Sequence, residues 1–382
     1  MRDSKHKTTP NAAEHGHASP AIAAEIMAPS QDIRDDLPFF TGKLGFRLDQ
    51  IFPADDPAVA VVSGHGVRLR LDVAYKGPAP HLSLLADDPD MVADGERRLT
   101  APNGMVIDID QKDPPMVMPT TLHNIVVRRL ADQAPWVIGR AGMHYRDLIP
   151  DRLGGSIIAS HIRIPEGGPV PDMVHYHTVG FQLIFCIQGW VDLVYEDQGE
   201  PFRLFAGDCV IQPPEIRHQV LYSGDDLEVL EIGVPAEHIT TIDHKMSLPN
   251  GPANPDRLFS GQRFVHHKEQ EASWADWRLP GFVFRETGIA DATNNVASVH
   301  VAKWQGTASD QILSEHDSDI LFAFVKTGGM DLAIDDASYQ LTAGDAFVVP
   351  PHTKYELKNV SNDIEIIEVS LPGAFATSVH AA

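Results

Sequence analysis

The feature that most constrains this chain is an internal duplication. Gly189-Trp190-Val191-Asp192-Leu193 is matched by Gly328-Gly329-Met330-Asp331-Leu332. Ala206-Gly207-Asp208 with Pro213-Pro214 is matched by Ala343-Gly344-Asp345 with Pro350-Pro351. A repeat this long is a duplicated domain, not a solenoid unit. Each copy is a series of strand-length apolar runs separated by Gly, Pro and Asp clusters. In the first copy they begin at Ile157–Ile164 and end at Leu227–Val234; in the second they begin at Ala297–Ala302 and end at Asp363–Ser370. This spacing marks an all-β sandwich or barrel.

The flanking stretches divide the rest of the chain. Residues 1–20 are polar and aperiodic and read as a disordered tail. The tail's His15 and His17 have no apolar strand to hold them as ligands. Residues 21–112 read as a small α+β module in the order β-α-β-β-β: a strand ending near Met27, a helix over Asp32–Leu44 interrupted by Pro38, and strands at Phe46–Phe52, Ala58–Ser63 and Val67–Val73. Asp113-Pro114-Pro115 opens a linker, so the first barrel with its N-terminal strap spans 113–235 and the second 294–382. The polar group 139–155 reads as part of that strap, crossing between the barrels. Residues 236–293, with Phe264, Trp274, Trp277, Phe282 and Phe284, read as an irregular inter-domain segment packed on them.

Composition excludes several classes. A net charge of -23 is wrong for a nucleic-acid partner, which needs a basic surface. The two cysteines, Cys186 and Cys209, lie inside apolar runs, so no disulfide framework is indicated. There is no apolar run long enough to span a membrane and no segment resembling a signal peptide. The expectation is a cytoplasmic protein acting on a small molecule.

Chemistry concentrates in one stretch. His175 and His177, two apart on a strand, project to one face. His218 follows the Pro213-Pro214 turn at the start of another strand, where antiparallel neighbours can bring it opposite the pair. Neutral imidazoles suit one divalent transition metal: Fe(II), Mn, Ni, Co or Zn. His175-x-His177, four residues, Gln182, six residues, Gly189, and then Gly207, five residues, Pro213, four residues, His218, closely resembles the paired motifs of the cupin family. Its members are double-sheet jelly rolls, and bicupins are their duplicated form. The resemblance covers roughly residues 130–380 and implies a mainly β bicupin with His175, His177 and His218 as metal ligands. Gln182 stands where that family usually has Glu; its amide oxygen would ligate weakly or bond to a water on the metal. The phrases "LPFFTGKLGFRLDQIFPADDPAVAVVSGHGVRLRL" and "TAPNGMVIDID" resemble a vicinal-oxygen-chelate (glyoxalase-like) module with its second half shortened. That resemblance implies a structural or dimerising unit, hence a homodimer.

The second copy has Ser314, His316, Leu321 and Tyr355 at the four motif positions, so no second metal is expected. Arg163 is the candidate carboxylate partner of a substrate, with Arg217 and Tyr195 as further substrate-binding candidates. A three-histidine site keeps about +2 charge and invites an anionic chelating substrate. Three-histidine cupins recur among Fe(II) dioxygenases, so iron(II) and dioxygenase chemistry are the first expectation. A non-redox isomerase or lyase working by Lewis-acid catalysis is the second, and a non-catalytic metal- or ligand-binding protein the third.

Overall fold

The computed structural model describes residues 23–132, 136–139, 142–306 and 311–380. The tail with His15 and His17 lies outside them. The chain divides into two units, Met1–Pro115 and Met116–Ala382.

The first unit follows the expected β-α-β-β-β order. Ile26–Pro29 lies parallel to Val67–Asp72, which pairs antiparallel with Val59–Gly64, and that with Arg47–Phe52. His65 and Gly66 both take left-handed φ, 51° and 80°, closing the two-residue hairpin. The helix is shorter than expected. Asp32 caps Ile33–Leu37 by accepting from the Arg34 amide at 2.9 Å. Pro38, with no N–H for the α ladder, then begins a π-helical stretch, Pro38–Lys43. A second sheet repeats the logic in shortened form: His81–Ala86 runs parallel to Val106–Gln111, which pairs with Arg98–Thr100. Phe40, Leu69, Leu71, Met105 and Ile107 are completely buried in one core.

The second unit holds two jelly-roll barrels. The first barrel has a sheet ordered Val265–His267, Cys209–Ile211, Phe181–Gln188, Leu227–Val234, Ile158–Ile164, His144–Asp147, Val137–Ile138. Facing it is Phe202–Phe205, Trp190–Tyr195, His218–Ser223, His175–Thr178, Ile239–Ile242. The second barrel repeats both orders: Val126–Arg128, Ala346–Val348, Ile320–Thr327, Glu365–Leu371, Ser298–Trp304, Phe282–Glu286, Trp274–Asp276, facing Ala337–Thr342, Gly329–Ile334, Tyr355–Lys358, Ile312–His316, Thr377–His380. Phe181, Leu183 and Phe185 of the first barrel share one buried cluster with Val299, Phe322 and Phe324 of the second.

The segment 236–293 is not irregular. Ile239–Ile242 pairs with the His175 strand, Val265–His267 with Cys209–Ile211, and Phe282–Glu286 with Ser298–Trp304. These strands are three to five residues long, too short to show a period in sequence. The repeat therefore reaches further upstream than its motifs. Val126–Arg128, which precedes the first barrel, completes the second barrel's sheet, while Val265–His267, which precedes the second, completes the first's.

Candidate metal centre

The site is built on the sheet that contains Trp190–Tyr195, His218–Ser223 and His175–Thr178. Along His175–Thr178 burial alternates, placing His175 and His177 inside and Tyr176 outside. Past Pro213-Pro214, Glu215 takes φ 63° and its amide donates to the His177 carbonyl at 3.0 Å, tying the turn to the ligand strand. His218 then falls directly opposite His175 in the ladder. Gly207 has φ 92°, a left-handed backbone conformation that favours glycine at this turn.

One ring nitrogen from each of His175, His177 and His218 lies within 4.8 Å of the others. The rings are oriented from behind. Nδ1 of His175 is 2.7 Å from the Met173 carbonyl, and that of His218 is 3.0 Å from the Ile216 carbonyl. Nδ1 of His177 is 2.9 Å from the Thr240 hydroxyl. Donation from Nδ1 to a carbonyl fixes the tautomer in which Nε2 carries the lone pair, the arrangement found behind metal-ligating histidines. The donor set fits a divalent transition metal.

Gln182 enters from the facing sheet and is fully buried. Its Nε2 donates to Glu231 Oε1 at 2.8 Å, while its own Oε1 is buried with no hydrogen-bond partner. A buried amide oxygen without a donor is costly; Gln182, expected beside the metal, is not among the side chains that line the cavity with the imidazoles and reaches it only through Glu231. Tyr195 is buried, its ring stacked 5.5 Å from that of His218, and its hydroxyl accepts from Gln212 Nε2 at 2.9 Å. Burial pushes the Tyr195 phenol well above its ordinary range, more than the Gln212 contact lowers it.

The imidazoles face a cavity of about 80 Å³. A water needs roughly 10–15 Å³ by this measure, so the space suits a small ligand. Its wall is mostly aliphatic, with Ile162, Ile184, Leu193 and Val229 prominent, and its polar groups include Gln212 and Glu231. Arg163 and Arg217 are not among the lining side chains. Arg163 pairs with Asp226 at 2.7 Å, because it lies between Ile162 and Ile164, which face the cavity, and so projects from the other side of the strand. Arg217 lies over the Tyr176 ring at 4.1 Å and bonds Asp243 at 3.3 Å. The strap residues Met143 and Tyr145 do line the cavity. Glu231 and Gln212 were missed in sequence. The available signal was an acidic residue inside the apolar run Leu227–Val234, repeated at Glu368 in the matching strand of the second barrel.

In the second barrel, His316 bonds the Val349 carbonyl at 3.1 Å, and Tyr355 stands where His218 stands in the first. Burial pulls Arg278 down, but the Glu368 carboxylate and the Tyr355 hydroxyl more than offset it, leaving the guanidinium charged and paired with Glu368. Among the described residues, His175, His177 and His218 form the only such metal-holding cluster.

The Cupin domain family profile matches residues 160–233 and 301–370. No curated protein matches the sequence significantly. The structure resembles salicylate 1,2-dioxygenase from Pseudaminobacter salicylatoxidans, with a TM-score of 0.50 and 13% identity over 69% of this chain and 90% of that one. A variant of Bacillus subtilis oxalate decarboxylase gives a TM-score of 0.50 and 12% identity over 69% and 81%. Lactobacillus farciminis oxalate decarboxylase in its formate complex gives 0.50 and 13% over 70% and 91%. At such identities the likeness establishes the fold, and no helix among the described residues is long and apolar enough to cross a membrane.

Proposed function

Starting from a chain with two cupin domains, we propose that the first is the catalytic centre of a metal-dependent enzyme. The favoured reading is an Fe(II) dioxygenase acting on a small substrate that chelates through oxygen. The observation that carries it is the three-histidine cluster facing a small aliphatic cavity. When bound, the metal, iron(II) in preference to Zn, Mn, Ni or Co, supplies Lewis-acid and redox chemistry. The chain's own part is positioning. Carbonyls of Met173 and Ile216 hold two imidazoles, Thr240 holds the third, and the Ile and Val walls exclude water. The likeness to a salicylate dioxygenase agrees with this reading. A non-redox lyase or isomerase is the second reading, favoured by the Glu231 carboxylate in the cavity wall, a group able to move a proton. Within the same proposal, the first unit is a vicinal-oxygen-chelate-like structural module through which two chains pair, and the protein works in the cytoplasm.

Metal analysis of protein purified without added metal, followed by oxygen uptake with catechols, hydroxybenzoates and β-diketones, tests this. Iron with oxygen consumption is expected; zinc or nickel with no uptake on any substrate sinks the dioxygenase reading. His177→Ala should abolish metal binding while His316→Ala leaves the content unchanged. Equal loss in both would refute a single site.

A further inference from the structure

The cavity of the first barrel distributes charge in a way that bears on what can enter it. The imidazole cluster projects from one sheet. From the facing sheet comes Glu231, the one carboxylate among the described lining side chains, and no described Lys or Arg is among them. Both arginines closest in sequence to the ligand strands are engaged elsewhere, Arg163 with Asp226 and Arg217 with Asp243 and Tyr176. Gln182 donates to one oxygen of Glu231 at 2.8 Å. A carboxylate offers about four lone-pair sites, so this single bond orients the group and leaves it accepting capacity.

A substrate carboxylate needs a guanidinium or ammonium partner when it is removed from water. Among the described residues this cavity provides none beyond the metal, and it sets a second carboxylate in the same small, aliphatic space, where like charges are poorly screened. A hydroxyl or amine, by contrast, donates to Glu231 while the neighbouring oxygen approaches the metal. We propose that the first barrel selects small substrates whose chelating end is uncharged and carries an O–H or N–H donor, and that Glu231 rejects carboxylates. This rests on the metal-site reading above and reverses the expectation of an anionic substrate. Gln182 thereby becomes a positioning residue, holding the selective group in place.

Catechol and salicylate are a matched pair, alike in ring and chelating geometry but differing by a hydroxyl in place of a carboxylate. Binding of each to the metal-loaded full chain is measured by calorimetry, with metal content assayed before and after on the same samples. Catechol should bind at least tenfold more tightly than salicylate. Glu231→Gln should shrink that ratio several-fold, mainly by improving salicylate. Salicylate binding as tightly as catechol in the unaltered protein overturns the proposal without need of a variant. So does a ratio unchanged in a Glu231→Gln protein of normal melting temperature, or no binding of either ligand at one metal per chain. Protein that takes up no metal fails the metal-site reading itself, and the selectivity proposal falls with it.

Discussion

Gln182 in the first barrel and His316 in the second, at the position that corresponds to His177, each show what a buried polar side chain does in its surroundings. Gln182 donates an amide proton to Glu231 and keeps its own oxygen buried without a partner. His316 is in the reverse situation. It is 2% exposed, its Nδ1 has no hydrogen-bond partner, and burial lowers its pKa to about 4. Between that value and the unfolded value near 6.5 the unfolded chain binds the extra proton. The stability His316 allows is therefore complete above about pH 6.5 and is lost as pH falls through about 4. At about 1.4 kcal/mol per pKa unit, this is on the order of 3 kcal/mol. Urea midpoints of unfolding at pH 7 and pH 4.5 check it. His316→Leu should lose distinctly less stability across that interval than the unaltered protein, and equal losses would show that His316 is not buried in its neutral form.

Among the elements, the strand Ile239–Ile242 has the most direct hold on the site. It lies along His175–Thr178, with Thr240 opposite His177, and the Thr240 hydroxyl meets Nδ1 of that histidine at 2.9 Å. Groups behind metal-ligating histidines typically govern 10–100-fold of affinity. Thr240→Val keeps the β-branched shape and removes the oxygen. A metal-competition titration with a chromogenic chelator should show affinity lower by about tenfold or more with the melting temperature of the metal-free protein nearly unchanged. Affinity equal to the unaltered protein would mean that the hydroxyl does not orient the ring. This strand also marks the limit of what sequence shows. The barrel strands were legible because six- to eight-residue runs such as Phe181–Gln188 and Leu227–Val234 display their apolar pattern, and the histidines because turn glycines and prolines pin their spacing. Ile239–Ile242 has four residues, is half-exposed, and gains its role from a partner some sixty residues back, so nothing local distinguishes it from a loop. Glu231 was hidden for a different reason: its strand carries two acids, Glu228 and Glu231, and which of them faces the cavity shows only once the facing sheet is in place.

At the scale of the molecule, the two barrels are bound by exchange as well as by packing. Each takes its edge strand from the leader of the other: Val126–Arg128 joins the second barrel and Val265–His267 joins the first. Two buried arginines reinforce the exchange in the same reciprocal way. Arg146, on the first barrel's strand His144–Asp147, donates to the Gly344 carbonyl of the second at 2.5 Å, and Arg285, on the second barrel's Phe282–Glu286, donates to the Gly207 carbonyl of the first at 2.8 Å. A guanidinium this deep is destabilising without its acceptors. Separating the barrels would therefore strip a strand from each sheet, open the shared apolar cluster and remove a carbonyl acceptor from each arginine. The exposed stretch 251–256, with Pro252 and Pro255, is the place to cut, because it precedes Val265–His267 and carries no strand of its own. Proteolytic nicking there should yield two pieces that migrate together in size-exclusion chromatography and retain the bound metal. Expressed alone, residues 1–255 should lose cooperative melting of the first barrel and its metal, since that piece lacks the Val265–His267 strand and the Arg285 donor. Mixing it with residues 256–382 during refolding should restore both. A first piece that melts cooperatively and binds metal without the second would show that the exchanged strand is dispensable and that the metal centre belongs to one barrel in isolation.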